Sequence, residues 1–100
     1  MTSNIQISHM PVVNPIDESK IKSVINDSRA KIEKIISRDF LLKVDFKTID
    51  KGGKSHYFVH VGFSCAGINL FESENGWDVL PALHHAMQTM HRSVERSLGR

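Results

Sequence analysis

The sequence predicts an α+β fold of order β-α-β-β-β-α, a four-stranded sheet with two helices packed on one face. Three observations lead to it. Two segments, Pro15 to about Ser37 and Asp78 to Arg100, space their apolar residues three and four apart, the period of an amphipathic helix. Four others alternate apolar and polar residues with the period of two that marks a half-buried strand. The last three strands are separated only by short glycine-containing turns, so they form a meander whose apolar side both helices must cover. An antiparallel sheet is expected.

Each element has a local reason. Asn4 to His9 alternates around Ile5 and Ile7 before Pro11 interrupts it. Asn14-Pro15 is a helix entrance, because Asn accepts from free backbone amides and proline in the first turn loses no intrahelical bond. Asp17 and Glu18 suit the positive end of the helix dipole. Ile21, Val24, Ile25, Ser28, Ile32, Ile35 and Ile36 form the core side of this helix, and Lys20, Asp27, Lys31, Lys34 and Arg38 its outer line. Phe40 to Ile49 sets Leu42, Val44 and Phe46 against Lys43, Asp45 and Lys47, a strand with one wet face. Asp50 to Lys54 is a turn around Gly52-Gly53. Tyr57, Val59, Val61 and Phe63 then alternate with Phe58, His60 and Gly62. Ala66-Gly67 is a second reversal, and Ile68, Leu70 and Phe71 make the fourth strand, which Glu74-Asn75-Gly76 is expected to break. Asp78 stands at the cap position of the last helix, with Pro81 in its first turn. Trp77, just before it, is read as a packing residue that fixes the helix entry.

A length of 100 residues suits one domain, spanning residues 1–100, and 40% hydrophobic with 24% charged residues is the balance of a folded globular chain. No apolar run approaches a bilayer span, and Met1 to Met10 lacks the pattern of a signal peptide, so a cytoplasmic protein with no membrane partner is expected. Cys65 is the single cysteine, which excludes an internal disulfide and reads as a small core residue. The net charge of +2 is too small for a global electrostatic argument, so its distribution has to carry one. Tyr57 to Asp78 has no lysine or arginine, whereas Val79 to Arg100 has three arginines against Glu95, and Lys20 to Lys34 gathers more cations.

The last helix carries the most informative pattern. Opposite Val79, Leu83, Ala86, Met87, Met90, Val94 and Leu98 runs a stripe of His85, Thr89, Arg92, Arg96 and Arg100, about 22 Å long. Guanidinium groups on a helix anchored by its other face are suited to phosphates, although most such stripes are only solvated. Six histidines raise a metal hypothesis, but His84 and His91 stand about 10 Å apart, two turns along one face, too far for one ion. His56, Phe58 and His60 share a strand face that would suit base stacking if it met RNA. No nucleophile elbow, phosphate-binding loop, dinucleotide glycine run or paired carboxylates are present. Neither an enzyme nor a cofactor is expected.

The order of these pieces resembles the ribosome hibernation-promoting factors, the family that includes bacterial protein Y, over nearly the whole chain from Asn4 to Arg100. Asn14-Pro15-Ile16 is similar to the family's Thr-Pro-hydrophobic start to the first helix, and Ala30-Lys31-Ile32-Glu33-Lys34 to its Ala-Lys-Leu-Glu-Lys segment. Leu70-Phe71 resembles the end of its sheet, and Asp78 to Leu83 parallels its Asp-Met-Tyr-x-Ala-Ile entrance to the last helix. Arg92 and Arg96 match two basic positions of its RNA-facing patch. The chain departs from the pattern by about four extra residues around Asp17 to Lys20, by Ser28 and Thr89 where basic residues are expected, and by Pro81 in place of a small residue.

The resemblance implies an arrangement like that of double-stranded-RNA-binding domains. It also implies a ribosome-associated translation inhibitor, active in stationary phase and stress. Such a protein occupies the decoding channel of the small ribosomal subunit and blocks messenger and transfer RNA without making or breaking a bond. By resemblance the chain is a short form, which favours inactive ribosome dimers together with a second small hibernation factor. Lys31, Lys34, Arg92, Arg96 and Arg100 are the expected phosphate contacts, with Lys20, Lys22, Arg29 and His85 in support. DNA is not an expected partner. Two alternatives stay open: a protein-interaction module of the same fold without ribosome binding, favoured by the near-neutral charge, and a small metal-binding protein using the histidines.

Overall fold

The computed structural model describes residues 3–98, and the expected order is found: β1 (Ser3–Ser8), α1 (Pro15–Ile35), β2 (Phe40–Lys51), β3 (Lys54–Cys65), β4 (Ile68–Gly76) and α2 (Val79–Leu98). The strands lie in sequence order across one sheet. β2, β3 and β4 form the antiparallel meander, with Phe46 opposite Val59 and Val61 opposite Glu72. β1 departs from the expected antiparallel sheet by pairing parallel to β2, Ile5 beside Leu42 and Ile7 beside Val44. The reason is α1. At about 1.5 Å per residue a helix of this length carries the chain back over the sheet, so the strands before and after it run the same way.

The period of two decides which face is covered. Phe40, Leu42, Val44 and Phe46 of β2 and Val59, Val61, Phe63 and Cys65 of β3 are all buried, and they join Ile21, Ile25 and Ile32 of α1 and Leu83, Ala86, Met90 and Val94 of α2 in one core. Cys65 is thus the small core residue expected. Val24 and Ile35 are half-buried at its margin.

Four details differ from the sequence reading. The first turn is tighter than expected, because β2 continues to Lys51 and β3 begins at Lys54, leaving Gly52 (φ 55°) and Gly53 (φ 80°) as the two-residue connection. Both positions need the left-handed backbone that glycine adopts without steric cost. β4 does not break at Glu74-Asn75-Gly76 but pairs with β3 as far as Gly76. Glu72 and Glu74 lie half-buried at the sheet edge on the helix side, where α2 meets them with polar partners: Ser93 Oγ donates to Glu72 Oε2 at 2.7 Å, and His85 Nδ1 lies 3.5 Å from Glu74 Oε2. α1 stops at Ile35, and the backbone of Ile36 is extended, so Arg38 is not on its outer line. Trp77 does not pack under the entry of α2. It is 55% exposed and stacked on His56.

The Asn14 cap forms as expected, the Asp17 amide donating to Asn14 Oδ1 at 2.8 Å with Pro15 opening the helix. Replacing Asn14 by Ala is expected to cost about 1 kcal/mol, since the Asp17 amide loses its side-chain acceptor. A denaturant midpoint unchanged from wild type would show that the cap contributes nothing.

Candidate nucleic-acid interface

The candidate surface is built from the outward sides of α1 and α2, which pack against each other. At 3.6 residues per turn, Lys20, Asp27, Lys31 and Lys34 fall within an arc of about 60° on α1, and His85, Arg92 and Arg96 within about 40° on α2. Between the helices lies a cleft of about 270 Å³, lined from α1 by Val24, Asp27, Ser28 and Lys31 and from α2 by His84, Met87, Gln88, His91 and Arg92. Its floor is apolar, Met87 being buried and Val24 half-buried, and its rim carries the charged groups.

The structure brings some of the expected residues together and separates others. Lys31 and Arg92 line the same cleft from opposite helices. Lys20, Lys34 and Arg96 are exposed. Among the described residues no carboxylate lies within ion-pair distance of Lys20, Lys31, Lys34, Arg92 or Arg96. Five cations are therefore left to solvent, although Asp27 shares the rim with Lys31.

Lys22 and Arg29 do not belong to this group. They lie about 160–180° around α1 from Lys31, on the flank turned away from the cleft. Lys22 is paired with Glu18 at 3.2 Å. Arg29 is half-buried beside the line of Ile25 and Ile32, and its Nε is enclosed without a hydrogen-bond partner. His85 is turned to Glu74 at the sheet edge. Thr89 Oγ1 donates back to the His85 carbonyl at 3.0 Å, which leaves it a spacer between His85 and Arg92. Arg100 lies outside the described residues.

The cleft itself is not legible in the sequence. There His84 and His91 suggest only a metal pair, whereas in the fold they form one wall of the cleft with Met87 between them, and His91 Nδ1 lies 3.8 Å from Glu95 Oε1. Among the described residues no group of three or more histidines, cysteines and carboxylates converges as a metal site would require. The available signal is the i, i+3, i+7 spacing of His84, Met87 and His91, which places them on one side of α2.

No protein-family model matches the sequence, and no curated protein matches it. Solved structures do match. The N-terminal domain of protein Y from Thermus thermophilus is 14% identical and aligns over 93% of both chains with a TM-score of 0.69. A ribosomal subunit interface protein from Coxiella burnetii is 11% identical and aligns over 97% of this chain and 99% of its own, with a TM-score of 0.60.

This chain has the protein Y N-terminal fold. At these identities the likeness is one of backbone, and the side chains on the helices are this chain's own. On the protein Y fold, the outward helix faces stand opposite the open face of the sheet, so the molecule has two broad surfaces of different chemistry. The helix side carries the unpaired cations around a cleft. The sheet side carries exposed rings, Phe71 and Trp77 among them.

Proposed function

We propose that this protein is a ribosome-associated translation inhibitor of the hibernation-promoting kind, acting as a single binding unit on the small ribosomal subunit and its RNA. The observation that carries the reading is the set of unpaired cations from two different helices, with Lys31 and Arg92 on the two walls of one cleft. A rigid surface of this kind meets a phosphate backbone with little loss of side-chain entropy beyond that of ordering the lysines and arginines themselves. The motif resemblance and the shared fold with a protein described as a ribosomal subunit interface protein support the choice of ribosomal RNA as the target.

The mechanism is docking followed by exclusion. Lys31, Lys34, Arg92 and Arg96, with Lys20 on the same side of α1 and Arg100 later in the sequence, contact phosphates in the decoding channel, and the body of the domain occupies the space of messenger RNA and transfer RNA. No catalytic group is needed, since occlusion makes and breaks no covalent bond. Service in stationary phase or stress, in the cytoplasm and together with a second small factor, follows from the same resemblance.

The test is cosedimentation with purified small subunits over a salt series, for the wild type and for Arg92→Gln/Arg96→Gln. Removing one phosphate-binding cation is expected to flatten the plot of log affinity against log salt by about one unit, so the slope of the double variant falls by about two and binding is weaker at every salt. Both residues are exposed, so the melting temperature is expected to stay near that of wild type. A double variant with wild-type affinity and slope refutes the interface.

A further inference from the structure

The face of the sheet that the helices leave open has an organisation of its own. Among the rows that the strand registers place on it, four run in succession: Lys43, Gly62 and Phe71; Asp45, His60 and Ser73; Lys47, Phe58 and Asn75; and Ile49 with His56, on which Trp77 stacks. Successive rows are about 7 Å apart. At one end the Phe71 ring lies over Gly62, so close that a Cβ there would sit 3.6 Å from its Cδ1 and Cε1, and the residue is 77% exposed. At the other end His56 is held between Trp77 and Phe58, with ring centroids at 4.5 and 4.7 Å, and its Nε2 lies 3.1 Å from Asn75 Oδ1. Trp77 thus has one face fixed by His56 while the residue remains 55% exposed.

We propose that this open face binds an extended single strand of RNA, with Phe71 and Trp77 as stacking platforms about 20 Å apart and Lys43 and Lys47 holding the phosphates between them. The charge on the face favours a polyanion. Within the four rows Asp45 is the one carboxylate, and it is held by His9, whose Nδ1 lies 2.7 Å from Asp45 Oδ1. The rings are separated by Lys47, His60, Ser73 and Asn75, so they form no continuous apolar patch, and lysine is depleted from the cores of protein interfaces. A duplex hides the faces of its bases in its own stack, so isolated exposed rings fit unpaired bases. The choice of RNA over DNA rests on the ribosomal reading above, whereas the surface itself is independent of the helix cleft.

Trp77 is the only tryptophan in the chain, which makes it a reporter confined to this face. The full chain is titrated with an oligouridine of about ten nucleotides while Trp77 emission and the anisotropy of a labelled copy are followed together. Quenching with saturation is expected. Phe71→Ala retains the reporter and is expected to weaken binding about tenfold, and Lys43→Gln/Lys47→Gln to weaken it and reduce its salt dependence. Phe71, Lys43 and Lys47 are all exposed, and a thermal melt confirms that the variants are folded.

Binding seen by anisotropy with no change in Trp77 emission places the strand elsewhere and overturns the proposal. So do wild-type affinity in both variants, tighter binding of oligodeoxythymidine, or a wild-type dimer that Phe71→Ala dissolves, which would make a second copy the occupant. Failure of the wild type to sediment with small subunits while Trp77 is still quenched removes the ribosomal reading alone, so the two proposals fail separately.

Discussion

On the proposed ribosomal function, reversing two charges, Lys31→Glu with Arg92→Glu, is expected to remove small-subunit binding at physiological salt. The two side chains line one cleft from opposite helices, so a single phosphate strand can meet both. Hydrogen bonds to charged groups contribute about 1.5–3 kcal/mol each, so removing two costs roughly 3–6 kcal/mol, or about 10² to 10⁴ in affinity. Each new carboxylate also repels the phosphate that the cation attracted, which makes this the lower end of the effect. Asp27 on the same rim adds a third negative charge to the altered cleft. The net charge passes from +2 to −2, since each reversal subtracts two. Filter binding or cosedimentation at fixed salt measures the loss, and a thermal melt within a few degrees of wild type shows that the fold is intact. A reversal that changes affinity less than about tenfold would mean that the cleft is not where RNA is met.

Phe63→Ala is expected to have the largest effect on stability. Phe63 is 1% exposed on the central strand β3, opposite Leu42 on one side and Leu70 on the other, with its ring centroid 5.4 Å from that of Phe40. Truncating a buried phenylalanine costs about 3–5 kcal/mol, because the forfeited transfer energy is joined by that of the cavity left behind. Native domains have about 5–15 kcal/mol in total, so a large share of the stability goes. At about 4–8 °C per kcal/mol for a domain near this size, the melting temperature falls by roughly 12–40 °C. A fall of under 5 °C, read by circular dichroism, would show that Phe63 does not sit at the centre of the core.

The two substitutions separate the two kinds of residue on which the molecule depends. Phe63 acts from inside the sheet, and its truncation lowers binding only through the fraction of molecules unfolded. Lys31 and Arg92 lie on the rim, where substitution leaves packing alone and changes only what the surface attracts.

Much of the fold is legible in the sequence because burial is periodic. Alternation in Phe40 to Phe46 and in Tyr57 to Phe63 identifies the covered face of each strand, and Ile21, Ile25 and Ile32 identify that of α1. Pattern misleads where a residue's type conflicts with its place. Glu74 looks like a solvent residue and with Asn75-Gly76 ends β4 too early, yet it alternates with Glu72 in register toward α2, where His85 and Ser93 meet them. Arg29 looks like one of the outer cations, but a position four after Ile25 and three before Ile32 belongs beside the core line, and a long side chain there is drawn down against the apolar surface. Trp77 suggests packing at the helix entry because it precedes one, whereas its partner, His56, is more than twenty residues away in the chain.

The candidate site divides along the same boundary. By itself the sequence determined the order of elements, the apolar side of each and the cationic stripe on the last helix, because each depends on residues a few positions apart. Only the tertiary structure decided that β1 runs parallel to β2, that the flank of α1 bearing Lys31 is the one facing Arg92, and that Lys22 and Arg29 face away. Those are relations between segments tens of residues apart, settled by how two helices share one sheet, and no local period encodes the angle at which they meet.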